Sequence, residues 1–148
     1  MSAAAETTTA CTPERALVTG GAGFIGSNLT LALLKTGATV TVLDDFSTGH
    51  RENLADHPHL TIIDGDVRDT DLLESAMDGA DTVFHLAASV GNKRSIDDPL
   101  TDSDINVMGT LRLLLAARAA GVRKVVASSS AAVYGELCGL PIGEDHRL

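Results

Sequence analysis

A glycine cluster set between two different hydrophobic patterns limits most tightly what this chain can fold into. Ala16-Leu17-Val18 is a short apolar run, Thr19-Gly20-Gly21-Ala22-Gly23-Phe24-Ile25-Gly26 follows, and Phe24 to Lys35 then carries Ile25, Leu29, Leu31, Leu33 and Leu34. A strand, a tight turn and a helix stand in immediate succession, with Gly37 placed to end the helix. Glycine permits positive φ in the turn and leaves no side chain between the backbone and an approaching ligand. The helix opening there directs free N–H groups at an anion, and Gly26 is expected to let it pack closely on the strand. Glycines also mark ordinary turns, but the flanking strand and helix are the context that a dinucleotide pyrophosphate site requires.

The alternation continues along the chain. Thr39-Val-Thr-Val-Leu43, Leu60-Thr-Ile-Ile63, Asp81-Thr-Val-Phe-His-Leu86 and Val122 to Ala127 read as the second to fifth strands. Ser47 to Pro58 reads as a polar connection with a helical turn or two. Asp69 to Met77 opens with acids suited to the positive end of a helix dipole. Asp102 to Ala120 reads as the longest helix, ended by Gly121. Apolar strands alternating with helices predict an α/β fold, a doubly wound parallel sheet of Rossmann type, truncated after the fifth strand. The expected order is 3-2-1-4-5, with right-handed crossovers and cover on both faces. Residues 1–14, small and polar, read as a flexible tail, and residues 15–148 as one NAD-binding domain.

The second half of the dinucleotide fingerprint is an acid at the end of the second strand, roughly 20 residues on, that accepts hydrogen bonds from the adenosine ribose. Asp44 stands there, with Asp45 beside it. No arginine lies in residues 43–49, so a 2′-phosphate would meet a negative surface; NAD is expected rather than NADP. Asp66-Val67 follows the third strand and admits two readings of equal weight. It contacts adenine, or it caps the next helix, a place Asp69 also suits. In the helix 102–120, Leu111, Leu113, Leu114 and Leu115 span more than one face, so something besides the sheet must cover it.

Composition narrows the partners. Eleven Lys+Arg against twenty Asp+Glu give a net charge of −9, a poor match to a phosphate backbone, so no nucleic acid is expected. Cys11 and Cys138 form no paired pattern and point to a reducing compartment. No apolar stretch reaches membrane-spanning length and the N-terminus has no secretory pattern, so the expected location is cytoplasmic, without a membrane partner. His57 and His59 read as a loop pair, with no metal expected. His85 reads as a hydrogen-bonded core histidine, Lys93-Arg94 as solvated, and Cys138 as unreactive.

Six motifs then occur in order: the glycine cluster, Leu-Asp-Asp-Phe-Ser-Thr-Gly (43–49), Gly-Asp-Val-Arg-Asp (65–69), Val-Phe-His-Leu-Ala-Ala (83–88), Asn106 with Gly109-Thr110, and Ser-Ser-Ser-Ala-Ala-Val-Tyr-Gly (128–135). From Arg15 onward the chain resembles the extended short-chain dehydrogenase/reductases, and within them the NAD-dependent nucleotide-sugar epimerases, which oxidise the sugar transiently at C4. The resemblance implies NAD as cofactor and a nucleotide sugar, a UDP-sugar first, as substrate. It assigns the pyrophosphate to Gly20, Gly23, Phe24, Ile25 and Gly26, the ribose to Asp44 with Asp45, and adenine to Asp66 and Val67. It sets Leu86, Ala87 and Ala88 beside the cofactor, with Asn106 supporting the nearby loop. Ser130 is the implied catalytic hydroxyl, with Ser128 and Ser129 lining the substrate side of that wall.

Dehydratases of this family carry an Asp-Glu pair directly after the catalytic Ser/Thr, because elimination of water needs an acid and a base. Ala131 and Ala132 stand here, which favours an epimerase. The family also uses a Tyr-x-x-x-Lys pair, whose lysine lowers the pKa of a phenol that is otherwise a poor base at neutral pH. Tyr134 is the only tyrosine, and Cys138 occupies the lysine position. The expectation is thus the N-terminal, cofactor-holding portion of an epimerase, without the substrate lobe and inactive alone. It would form a homodimer, or take up a complementary C-terminal piece, through the 102–120 helix, whose family counterpart commonly lies at a dimer interface. The alternatives are a non-catalytic NAD-binding or regulatory module, a nucleotide-sugar dehydratase or reductase of the same family, and an incomplete gene product.

Overall fold

The computed structural model describes residues 12–135 and 141–146. Strands β1 (Arg15–Thr19), β2 (Thr39–Asp44), β3 (Leu60–Asp64), β4 (Thr82–His85) and β5 (Lys124–Ala127) form one sheet. Every pairing is parallel and the order is β3-β2-β1-β4-β5, as the alternation predicts. The helices are α1 (Phe24–Lys35), α2 (Thr70–Ala76), α3 (Asn92–Asp97), α4 (Pro99–Ser103) and α5 (Thr110–Ala119).

Successive side chains of a strand point to opposite faces, which divides the core in two. Ala16, Val18, Val40 and Val42 meet Leu33 and Leu34 of α1 on one face. Leu17, Leu43 and Val83 meet Leu73 and Met77 near α2 and Leu113, Ala116 and Ala117 of α5 on the other. The buried positions of α1 are Gly26, Thr30, Leu33 and Leu34, a helical stripe. Leu17, Leu43, Leu73 and Leu113 are fully buried, each worth about 1.5–3 kcal/mol. Asp81 gathers the strand starts: its carboxylate accepts the N–H groups of Glu14 and Arg15 at 2.8 and 2.9 Å and the Thr82 hydroxyl at 2.6 Å. Its carbonyl takes the N–H of Arg123 before β5.

Three expectations change. Cover on both faces fails at β5, where Val126 is 38% exposed. Val126 is in register with Phe84 and so points to the α1 side, and α1 packs over β1 and β2 instead. The long helix begins earlier than Asp102, because the Asp98 carboxylate accepts the Thr101 N–H at 3.2 Å and Pro99 fills the first helical position. It is also not uniform: Asp104–Gly109 forms a π-helical turn between α4 and α5. Its end agrees with the expectation, since the Val122 N–H returns to the Ala117 carbonyl just past Gly121. Finally, α3 has no counterpart in the sequence reading. Residues 1–11 of the expected tail, and both cysteines, lie outside the described residues.

Candidate functional site

In open parallel sheets the ligand crevice lies at the carboxyl ends of the strands, where the order reverses. Here β1 and β4 flank that point, and a cleft of about 910 Å³ opens along it. All the cofactor, substrate and catalytic candidates singled out in the sequence line this one cleft.

The glycine loop forms its floor. Gly20 has φ +69°, and a Cβ there would lie 2.7 Å from the Ala87 nitrogen. A Cβ on Gly26 would lie 2.2 Å from the Gly20 carbonyl oxygen. Gly26 therefore closes the helix start onto the loop itself, not onto the strand as expected. Gly23 precedes the helix, and no side chain caps its first turn. Phe24 and Ile25, 85% and 64% exposed, flank that bare helix end.

Asp44 ties the loop to β2. Its carboxylate accepts the Ala22 N–H at 2.8 Å and the Phe46 N–H at 2.9 Å, and the residue is buried. Asp45 is exposed, accepting from the Ser47 N–H and hydroxyl at 3.0 and 2.7 Å. Phe46 has φ +53°, and the Arg51 guanidinium sits 5.4 Å over its ring.

Of the two readings of Asp66, geometry excludes the cap. Asp69 caps α2, accepting from the Asp71 and Leu72 N–H groups. Asp66 pairs instead with Arg68, whose Nη2 lies at 2.6 Å. That hydrogen bond holds its carboxyl below the ordinary aspartate range against the opposing effect of burial. Arg68 reaches on to Asp104 at 3.5 Å, and Asp104 to Arg112 at 3.0 Å. Val67 is buried against the π turn, where a Cβ on Gly109 would come within 3.1 Å of its side chain.

The opposite wall is Leu86, Ala87, Ala88 and Ser89. The Asn106 side chain accepts the Ser89 N–H at 2.8 Å and donates to the Ser89 carbonyl at 3.0 Å and to Asp102 at 3.2 Å. The Ser89 hydroxyl is buried without a partner among the described residues. His85 stands below, its ring nitrogens 2.7 Å from the Thr19 hydroxyl and 3.0 Å from that of Thr110. Burial pushes its pKa down. Ser128, Ser129 and Ser130 end β5 at the cleft. The Ser128 N–H donates to the His85 carbonyl, and the Ser130 hydroxyl oxygen accepts the Ala132 N–H at 3.1 Å.

Sequence reading missed Ser89, Arg94, Asp102 and Thr110 as lining residues, and placed His85 in the core without placing it at the cleft. Lys93 pairs with Asp97, while exposed Arg94 borders the cleft. His57 and His59 lie with ring centroids 5.7 Å apart, away from the cleft lining. The cleft thus offers the uncapped start of α1 to an anion, carboxylate acceptors to hydroxyl or amino donors, and a serine hydroxyl at the end of β5.

The family model of the NAD dependent epimerase/dehydratase family matches residues 16–148. A UDP-glucose 4-epimerase of Mycolicibacterium smegmatis is 47% identical over 136 residues, which are 88% of this chain and 44% of that protein. The Thermus thermophilus UDP-glucose 4-epimerase, solved in complex with NAD, is 41% identical with TM-score 0.78, over 88% of this chain and 42% of that one. A dTDP-glucose 4,6-dehydratase of Streptomyces venezuelae, solved with NAD, is 40% identical with TM-score 0.80, over 90% and 45%. The chain therefore spans less than half the length of these relatives. Among the described residues no helix is long and apolar enough to cross a membrane.

Proposed function

Because the chain belongs to the NAD dependent epimerase/dehydratase family, we propose that its cleft holds NAD and serves a nucleotide-sugar epimerase acting by transient oxidation at sugar C4. The observation that carries this reading is the glycine cradle: added Cβ atoms at Gly20 and Gly26 would strike backbone, so the loop carries no side chain at either position, and no side chain caps the first turn of α1 beside it. The residues fit the dinucleotide along its length. Gly20 to Gly26 receive the pyrophosphate, Asp44 with Asp45 the adenosine ribose, and Asp66 with Val67 the adenine. Leu86 to Ala88 back the cofactor. Bound there, NAD supplies the two-electron acceptor for the sugar oxidation.

Ser130 is the catalytic hydroxyl in this reading, with Ser128 and Ser129 along the sugar; the UDP-glucose relatives support a UDP-sugar. Ala131 and Ala132 favour an epimerase over a dehydratase, since neither can transfer a proton. The alternative reading is an NAD-binding module without turnover of its own. In either case the apolar outer face around α5 packs against a second copy or a complementary piece. Calorimetric titration with NAD is the test. Saturable uptake is expected, and its absence from well-folded protein would remove the cofactor and the function together.

A further inference from the structure

The geometry points to His85 as a positioning residue that sets the cleft wall through two arms of hydrogen bonds, working as the neutral ring with its proton on Nε2. Register places His85 beside Thr19 of β1 and Ala127 of β5, and the residue is 6% exposed. Counting protons assigns the direction of every bond. The Thr110 hydroxyl has one proton and gives it to the Asn106 carbonyl at 2.7 Å. It must therefore accept from His85 Nε2, 3.0 Å away, which requires Nε2–H. A neutral ring protonated there has a bare Nδ1, and the Thr19 hydroxyl at 2.7 Å donates to it. The lone pairs left on Thr19 accept the Ala87 N–H at 3.3 Å. The opposite tautomer would face two bare acceptors at Thr110, and a charged ring would strip the Thr19 proton of its acceptor.

The two arms end on the same short segment. One runs from Thr19 to Ala87. The other runs through Thr110 to Asn106, whose side chain holds both the N–H and the carbonyl of Ser89. The second arm runs through the end of the π turn. Within it the Thr110 N–H turns to the Val107 carbonyl, and the hydroxyl takes the Asn106 carbonyl in its place. The wall from Ala87 to Ser89 is thus fixed before any ligand arrives, which spares a ligand the ordering cost.

This inference leans on the NAD reading only for its last readout. Nitrogen-resolved NMR of the wild-type chain at neutral pH should show His85 with a protonated Nε2 and a bare Nδ1; a proton on Nδ1, or on both, overturns the assignment. Thr110→Val removes the hydroxyl at nearly constant shape, and Thr110→Ser keeps it. Amide exchange at Ser89 should speed up about tenfold in Thr110→Val and stay within about twofold in Thr110→Ser, the size of one lost hydrogen bond. NAD affinity should follow the same pattern. Equal exchange in both variants overturns the second arm. A wild type that takes up no NAD sinks the proposed function, while the spectrum and the exchange rates still decide His85.

Discussion

A single methyl group at position 26 would force the glycine loop and α1 apart. In Gly26→Ala the new carbon would lie 2.2 Å from the Gly20 oxygen and 2.7 Å from the Gly21 Cα, both backbone atoms that no rotamer change can clear. Relief requires α1 and the loop to part, which costs roughly 1–3 kcal/mol. The expected result is a lower denaturation midpoint together with at least about a tenfold loss in NAD affinity, the equivalent of one good hydrogen bond to an anion. Unchanged affinity in a destabilised variant would detach the loop from the cofactor. The places of Gly26 and Asp44 at the cleft were legible in the sequence because each belongs to a local pattern, whereas that of Ser130 came from the family resemblance. Asp66 was half legible: residue type allowed a cap or a ligand contact, and only the position of Asp69 at the start of α2 excluded the cap. The second role of His85 was hidden, because it arises from threonines 66 residues before it and 25 after it.

At the level of elements, strand order could be read from alternation together with the order usual in doubly wound dinucleotide-binding sheets, since buried parallel strands and right-handed crossovers leave few arrangements. The α3–α5 region could not. A π turn adds one residue to a helical turn without any compositional mark, and Asp104–Gly109 contains nothing that ordinary helices lack. The leucine excess of α5 was read correctly as two-sided. Leu113 is fully buried on the sheet, whereas Leu111 and Leu115 are 48% and 57% exposed, with Val107 and Met108 one turn earlier also exposed. Spacing of three and four residues sets these side chains in one stripe. Paired substitution of Leu111→Lys and Leu115→Lys should abolish self-association in sedimentation velocity. Thermal stability of the isolated chain should move by only about 0.5 kcal/mol, as for other surface changes. Identical sedimentation of variant and wild type would remove the second copy as occupant of this face.

Across the whole molecule the charge of −9 opposes any anionic ligand, so binding of a dinucleotide depends on short-range geometry overcoming a long-range field. The two contributions are separable by salt, because screening shortens from about 30 Å at 0.01 M to about 3 Å at 1 M while direct hydrogen bonds persist. NAD and NADP differ by one phosphate carrying roughly −1.5 to −2 charges, and in the proposed pose it lies at Asp44 and Asp45. Buried Asp44 cannot turn away, because both its oxygens are held, by the Ala22 and Phe46 amides. NADP should therefore bind at least about tenfold more weakly than NAD at low salt, because one charge-assisted hydrogen bond to the ribose is forfeited and like charges repel. Raising the salt should narrow the gap by removing the field, yet leave a remnant of preference from the ribose hydrogen bond that NADP cannot make. Isothermal titration of both cofactors across that range distinguishes three cases. A gap that closes completely assigns the preference to net charge and takes the ribose from Asp44; a gap indifferent to salt assigns it wholly to hydrogen bonding; partial closure is the outcome this cleft requires.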